Sequence, residues 1–69
     1  MNNIEAKAKW SAKWNIELME AGFSIHKTLD EIIQAEKKTK AIMERCDNRD
    51  GILFSQIVLR ELNKLKDEN

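Results

Sequence analysis

The sequence predicts an all-α protein: a helical hairpin plus a third helix, assembled as a dimeric helical bundle. Three observations carry that expectation. The 69 residues contain no proline and only two glycines, Gly22 and Gly51, too few turn formers for a β-sandwich or barrel. Apolar residues recur at helical spacing over three stretches, roughly 3–21, 25–47 and 51–66, as amphipathic helices require. The third stretch is apolar on two sides, so it must be covered on two sides. One small domain, 1–69, is all this length allows, because such a chain buries only about 60% of its unfolded surface.

In the first stretch, steps of about 100° per residue gather Trp10, Trp14, Leu18 and Ala21 on one side, with Ile4 near them. Lys9, Lys13, Glu5 and Glu20 gather on the other, and Glu17 lies at the edge of the stripe. Ala8-Lys9-Trp10 is echoed by Ala12-Lys13-Trp14. Two copies at a four-residue step are one helical face written twice, not a repeat architecture. Trp10 and Trp14 have two readings. Large aromatics fill the core of small domains; tryptophan is also enriched where partners bind.

Ala21-Gly22-Phe23-Ser24 closes this stretch. Glycine suits the position after a helix end, and serine suits the cap that opens the next. In the second stretch Ile25, Thr28, Leu29, Ile32, Ala35, Thr39, Ile42, Met43 and Cys46 share one side. Glu36 interrupts that stripe, and an i, i+4 pair with Lys40 is expected to hold its charge at the stripe edge. Leu18, Ala21, Gly22, Phe23 and Ser24 resemble the joint of the helical hairpin in the Sin repressor and antirepressor of bacilli. The resemblance covers only the stretch around the joint. Thr28 stands where that family prefers an apolar residue, and the tryptophans do not align with it. What it implies is dimerisation through a helical hairpin.

Cys46-Asp47-Asn48-Arg49-Asp50-Gly51 separates the second and third stretches, with Asp50 as the expected cap. In the third, Phe54, Val58, Leu62 and Leu65 form one stripe, widened by Leu59, while Leu53 and Ile57 fall on a second side. Ile52–Leu59 has the β-branched and aromatic content of a strand, but the tail to Lys66 continues helical spacing. A second chain is expected to cover the second side. The expected homodimer therefore buries Leu53 and Ile57 between chains.

Chemistry is thinly represented. Twelve basic residues balance twelve acidic ones, unlike the basic footprint of most duplex-DNA binders. Placing Gly51 at the sixth position of a calcium loop puts Cys46 first and Ile57 twelfth, so both outer ligands fail. His26 and Cys46 are the only soft ligands, short of the four a structural zinc needs. No nucleophile–base pairing and no phosphate-cradling glycine loop is visible. No enzyme, metal site or cofactor is expected. The lone cysteine points to a reducing compartment, and no run of apolar residues suits a signal peptide or a bilayer span. Nine lysines against three arginines hint at an AT-rich genome of phage or plasmid type.

The expected function is that of a small, cytoplasmic, non-enzymatic regulatory or inhibitory protein. It would bind another protein through helical surfaces, as an antirepressor, a phage-type inhibitor of a host factor, an antitoxin or an immunity protein does. The candidate contacts are Trp10, Trp14, Leu53 and Ile57. The alternative is a small dimeric DNA-binding regulator using Lys37, Lys38, Lys40 and Arg45, a cluster interrupted by Glu36 and Glu44. A membrane-surface role is disfavoured, because Glu5, Glu17 and Glu20 would be repelled by anionic lipid.

Overall fold

The computed structural model describes residues 3–68 as three helices, α1 (Ile4–Glu20), α2 (Leu29–Arg45) and α3 (Arg49–Glu68). The outermost positions of the expected domain, 1–2 and 69, lie outside the described residues. The all-α expectation holds. Residues 52–59 are helical, and no strand occurs among the described residues.

The pairing of the helices differs from the expected hairpin of the first two. α3 lies in the middle and packs against both others, whereas α1 and α2 scarcely touch. α2 runs antiparallel along α3: Met43 sits beside Gly51, Glu36 meets Ser55, and Asp30 meets Lys66. α1 runs the same general way as α3, with Glu5 at Arg60 and Glu20 near Glu68, so it covers only the later half of α3. Two sides of α3 are apolar, and two helices of the same chain cover them. A second chain is not needed for that purpose.

Local signals set the boundaries. α1 ends in a Schellman motif: the Gly22 and Phe23 amides donate to the carbonyls of Met19 and Leu18. Gly22 is left-handed there, at φ 82°, where a glycine carries no Cβ penalty. The next helix is not opened by Ser24. Its hydroxyl instead accepts from the His26 amide in a local turn. Thr28 is the cap, accepting from the Glu31 amide at 3.2 Å, while the Glu31 carboxylate reaches back to the Lys27 amide. Residues 21–28 thus form a connecting loop.

α2 ends in the same motif, with Asn48 and Asp47 amides donating to Met43 and Glu44 carbonyls. Asp47 takes the left-handed place at φ 53°, tolerated by aspartate better than by most residues. Asn48, not Asp50, then caps α3, accepting from the Gly51 amide at 3.0 Å. Gly51 is inside the helix rather than a break. A Cβ there would stand 2.7 Å from the Met43 sulfur, so the glycine lets the α2 end lie close against α3.

The core is Ala8, Ala12, Ile32, Ile33, Ile57, Val58 and Leu62. Ile4, Ile16, Met19, Leu29, Phe54 and Leu59 flank it. α2 therefore buries a stripe through Leu29, Ile32, Ile33, Glu36, Lys40 and Met43. That stripe is rotated from the expected one, and it leaves Thr39, Ile42 and Cys46 exposed. Glu36 is the reason. Its carboxylate accepts a 2.9 Å hydrogen bond from the hydroxyl of Ser55, which is fully buried on α3. A buried hydroxyl without a partner costs about 1–3 kcal/mol, so Glu36 belongs toward α3 rather than at the stripe edge. Lys40 approaches Glu44 instead, at 3.9 Å.

Candidate interaction surface

α1 is inverted relative to residue size. Its buried face is made of alanines, Ala8 and Ala12. Trp10 and Trp14 lie on the opposite face, 62% and 46% exposed. The geometry follows from the sequence. Position i+2 is about 200° around a helix, so each Ala-Lys-Trp unit sends its alanine inward and its tryptophan outward. Small residues allow a close approach to α3, and Ile4, Ile16 and Met19 complete the inward stripe. The sequence reading followed the bulkier stripe. The available signal was that Ile4, Ala8, Ala12, Ile16 and Met19 form an unbroken apolar line at helical spacing.

The two indoles stack with centroids 5.5 Å apart and planes 8° from parallel, within the range of favourable aromatic pairs. Lys13 and Glu17 border a shallow depression beside them. Neither makes an ion pair with another described residue. Leu18 is half-buried one turn beyond Trp14. Further on, Phe23 and Ile25 in the connecting loop are the most exposed large apolar side chains among the described residues, at 82% and 87%. The sequence reading placed Phe23 in a capping joint and Ile25 in a buried stripe. Their exposure follows from the loop: α2 starts only at Leu29, so neither is carried on a helix face.

Leu53 and Ile57 separate. Ile57 lies in the intramolecular core, 8% exposed, where it packs within its own chain. Leu53 remains exposed. The cause is the reach of α1, whose first turn meets α3 at Arg60. Leu53 lies two turns earlier, about 10 Å back along the axis, beyond the end of the covering helix.

The basic residues of α2 do not gather. At about 100° per residue, Lys38 and Arg45 share one flank, while Lys37 and Lys40 fall on another. Lys40 is turned toward Glu44. Lys38, Ala41, Ile42, Glu44 and Arg45 border a shallow mixed groove rather than a basic stripe. His26 is half-buried in the loop, and Cys46 is exposed at the end of α2, not buried in a stripe as expected. Among the described residues no cluster of three metal-ligating side chains occurs. Among the described residues no helix is long and apolar enough to cross a membrane.

Two surface ion pairs tie the outer helices to α3. Arg60 bonds Glu5 at 2.9 Å, and Lys66 bonds Asp30 at 2.9 Å. The Arg60 hydrogen bond holds the Glu5 carboxyl below its usual range, helped by the charge of Lys9. The Asp30 hydrogen bond raises Lys66 above the usual lysine range. At Glu61 burial pushes the carboxyl up, but hydrogen bonds from Lys64 and Arg60 outweigh it and leave it low. Comparison with protein-family models, with curated proteins and with solved structures finds no significant match to the chain.

Proposed function

We propose that this chain is a small regulatory or inhibitory protein that acts by docking apolar surfaces on a protein target, with no chemistry of its own. The inversion of α1 is the observation that carries the reading. The helix packs alanines inward and holds two stacked tryptophans outward. Apolar burial area alone favours the opposite arrangement, because each buried large apolar side chain contributes about 1.5–3 kcal/mol. Exposed aromatic ledges of this kind suit interface hot spots. Phe23 and Ile25 extend the apolar display onto the loop that follows α1.

The mechanism would be occlusion: an apolar ridge seated in a groove of the target blocks what the groove otherwise binds. The test is site-specific crosslinking in the cells that make the protein. A photoreactive phenylalanine replaces Phe23, and Lys37 on α2 carries it in a control. A discrete protein adduct from position 23, absent from position 37, identifies the target. No adduct, or equal labelling at both positions, overturns the reading.

A further inference from the structure

We propose that the Trp10–Trp14 face of α1 is covered by a second copy of itself, the two α1 helices lying antiparallel about a two-fold axis level with Asn15. This assembly rests on that face being a docking surface, and it leaves Phe23 and Ile25 of the loop for the target. The target contact at Phe23 is tested separately by crosslinking, so either can fail alone.

The argument is one of self-complementarity. A two-fold interface uses the same patch on both subunits, so each charge must meet its opposite when the patch is turned on itself. Lys13 and Glu17 lie on the same side of the tryptophan strip and border the same depression. They stand two residues before and two residues after Asn15. An antiparallel pair brings same-side positions together, so an axis at Asn15 sets Lys13 against Glu17 of the second copy, and Glu17 against its Lys13. Both charges are available, since neither is paired with another described residue.

The apolar residues fit the same register. The axis brings the two Trp14 side chains together near the centre. It carries Leu18 of the second copy to the level of Ala12, midway between Trp10 and Trp14. A branched side chain is thereby laid across the outer edges of the stacked indole pair.

Size sets the expected strength. Four tryptophans of about 150–250 Å² each, roughly half exposed, offer on the order of 400 Å² of apolar surface. Stable interfaces bury about 1,200–2,000 Å². The tryptophans alone supply only about a third of that lower bound, so the dimer is weak and transient, visible as a mass that depends on concentration.

Sedimentation equilibrium of the full chain over a wide concentration range is the test. The mass is expected to climb from 8.1 kDa toward twice that value. Trp14→Ala is expected to hold it at 8.1 kDa with helicity unchanged by circular dichroism. Lys13→Glu and Glu17→Lys each place like charges across the seam, and each is expected to weaken the dimer about tenfold or more. An equimolar mixture of the two variants restores opposite charges and should recover association, as should the double variant. A wild-type mass fixed at the monomer value overturns the proposal. So does a mixture that associates no better than either single variant, because recovery on mixing is specific to this register.

Discussion

The two helices that flank α3 hold it in different ways. α2 lies along it antiparallel, with two buried isoleucines, a hydrogen bond from the buried Ser55 to Glu36, and Met43 pressed over Gly51. α1 covers only the later half of α3, through two alanines and a rim of Ile4, Ile16 and Met19. The first contact is bulky and specific; the second is close and thin. This difference shows where the molecule keeps its stability and where it keeps its display. The bulkier contact lies between α2 and α3, and α1 turns its largest side chains outward.

Removing bulk from the α2 flank should have the largest effect. Ile33→Ala deletes a side chain 3% exposed, a change that costs about 2–5 kcal/mol. A domain of this size without disulfides commands only about 3–5 kcal/mol in total, so the variant is expected to be largely unfolded at room temperature by circular dichroism. On the α1 flank the sensitive direction is addition. Ala12→Leu forces a larger residue into a face 2% exposed, and overpacking costs about 1–3 kcal/mol. Amide exchange separates the two cases. Ala12→Leu should lose protection along α1 while α2 and α3 keep theirs. Equal loss in all three helices would mean that the flanks are one cooperative unit, and would erase the distinction.

The next effect is smaller and is confined to the α2 flank. Glu36→Leu makes that stripe more apolar, as a hydropathy pattern would recommend. It nevertheless strands the buried Ser55 hydroxyl, so it is expected to destabilise by about 1–3 kcal/mol in urea titration. Adding Ser55→Ala removes the orphan and should restore stability to the wild-type level or above it, because replacing both partners of a buried polar pair is often neutral or better. A Glu36→Leu variant as stable as wild type would show that the hydrogen bond only decorates the interface.

The all-α class, the three segments and the two-sided third helix were all legible in the sequence. They rest on spacing and on the scarcity of breakers, which are local properties. What was not legible depends on which faces meet. Glu36 reads as a flaw in a stripe until Ser55 is placed opposite it, and nothing in either stretch announces the other. Ile57 and Leu53 read as one patch, and only the reach of α1 divides them. Trp10 and Trp14 outweigh Ala8 and Ala12 in any tally of apolar character. Close packing, however, rewards small residues, and this property belongs to the pair of helices rather than to either alone. Thr28 and Asn48 were missed as caps because Ser24 and Asp50 have the same chemistry a few residues away.

The smallest effects lie at the ends of the two flanks, where Glu5 is read in acid and Lys66 in alkali. Glu5 has its carboxyl lowered chiefly by the Arg60 hydrogen bond. A lowered carboxyl favours the folded state above the ordinary carboxylate range, and that contribution disappears as pH falls through the folded value. Lys66 is raised chiefly by Asp30. Its contribution is present below the ordinary lysine range and is lost as pH rises through the raised value. The α1 clasp therefore fails in acid, and alkali discharges the cation of the α2 clasp. Both pairs are exposed and screened by salt, so the effects are small and best read at low ionic strength. The thermal midpoint of Glu5→Gln should fall below wild type at neutral pH and meet it in acid, where the native carboxyl is protonated as well. For Asp30→Asn the gap from wild type should instead close in alkali as Lys66 discharges. A Glu5→Gln gap that persists in acid would show that this residue contributes by packing against α3, and the two flanks would then differ in shape alone.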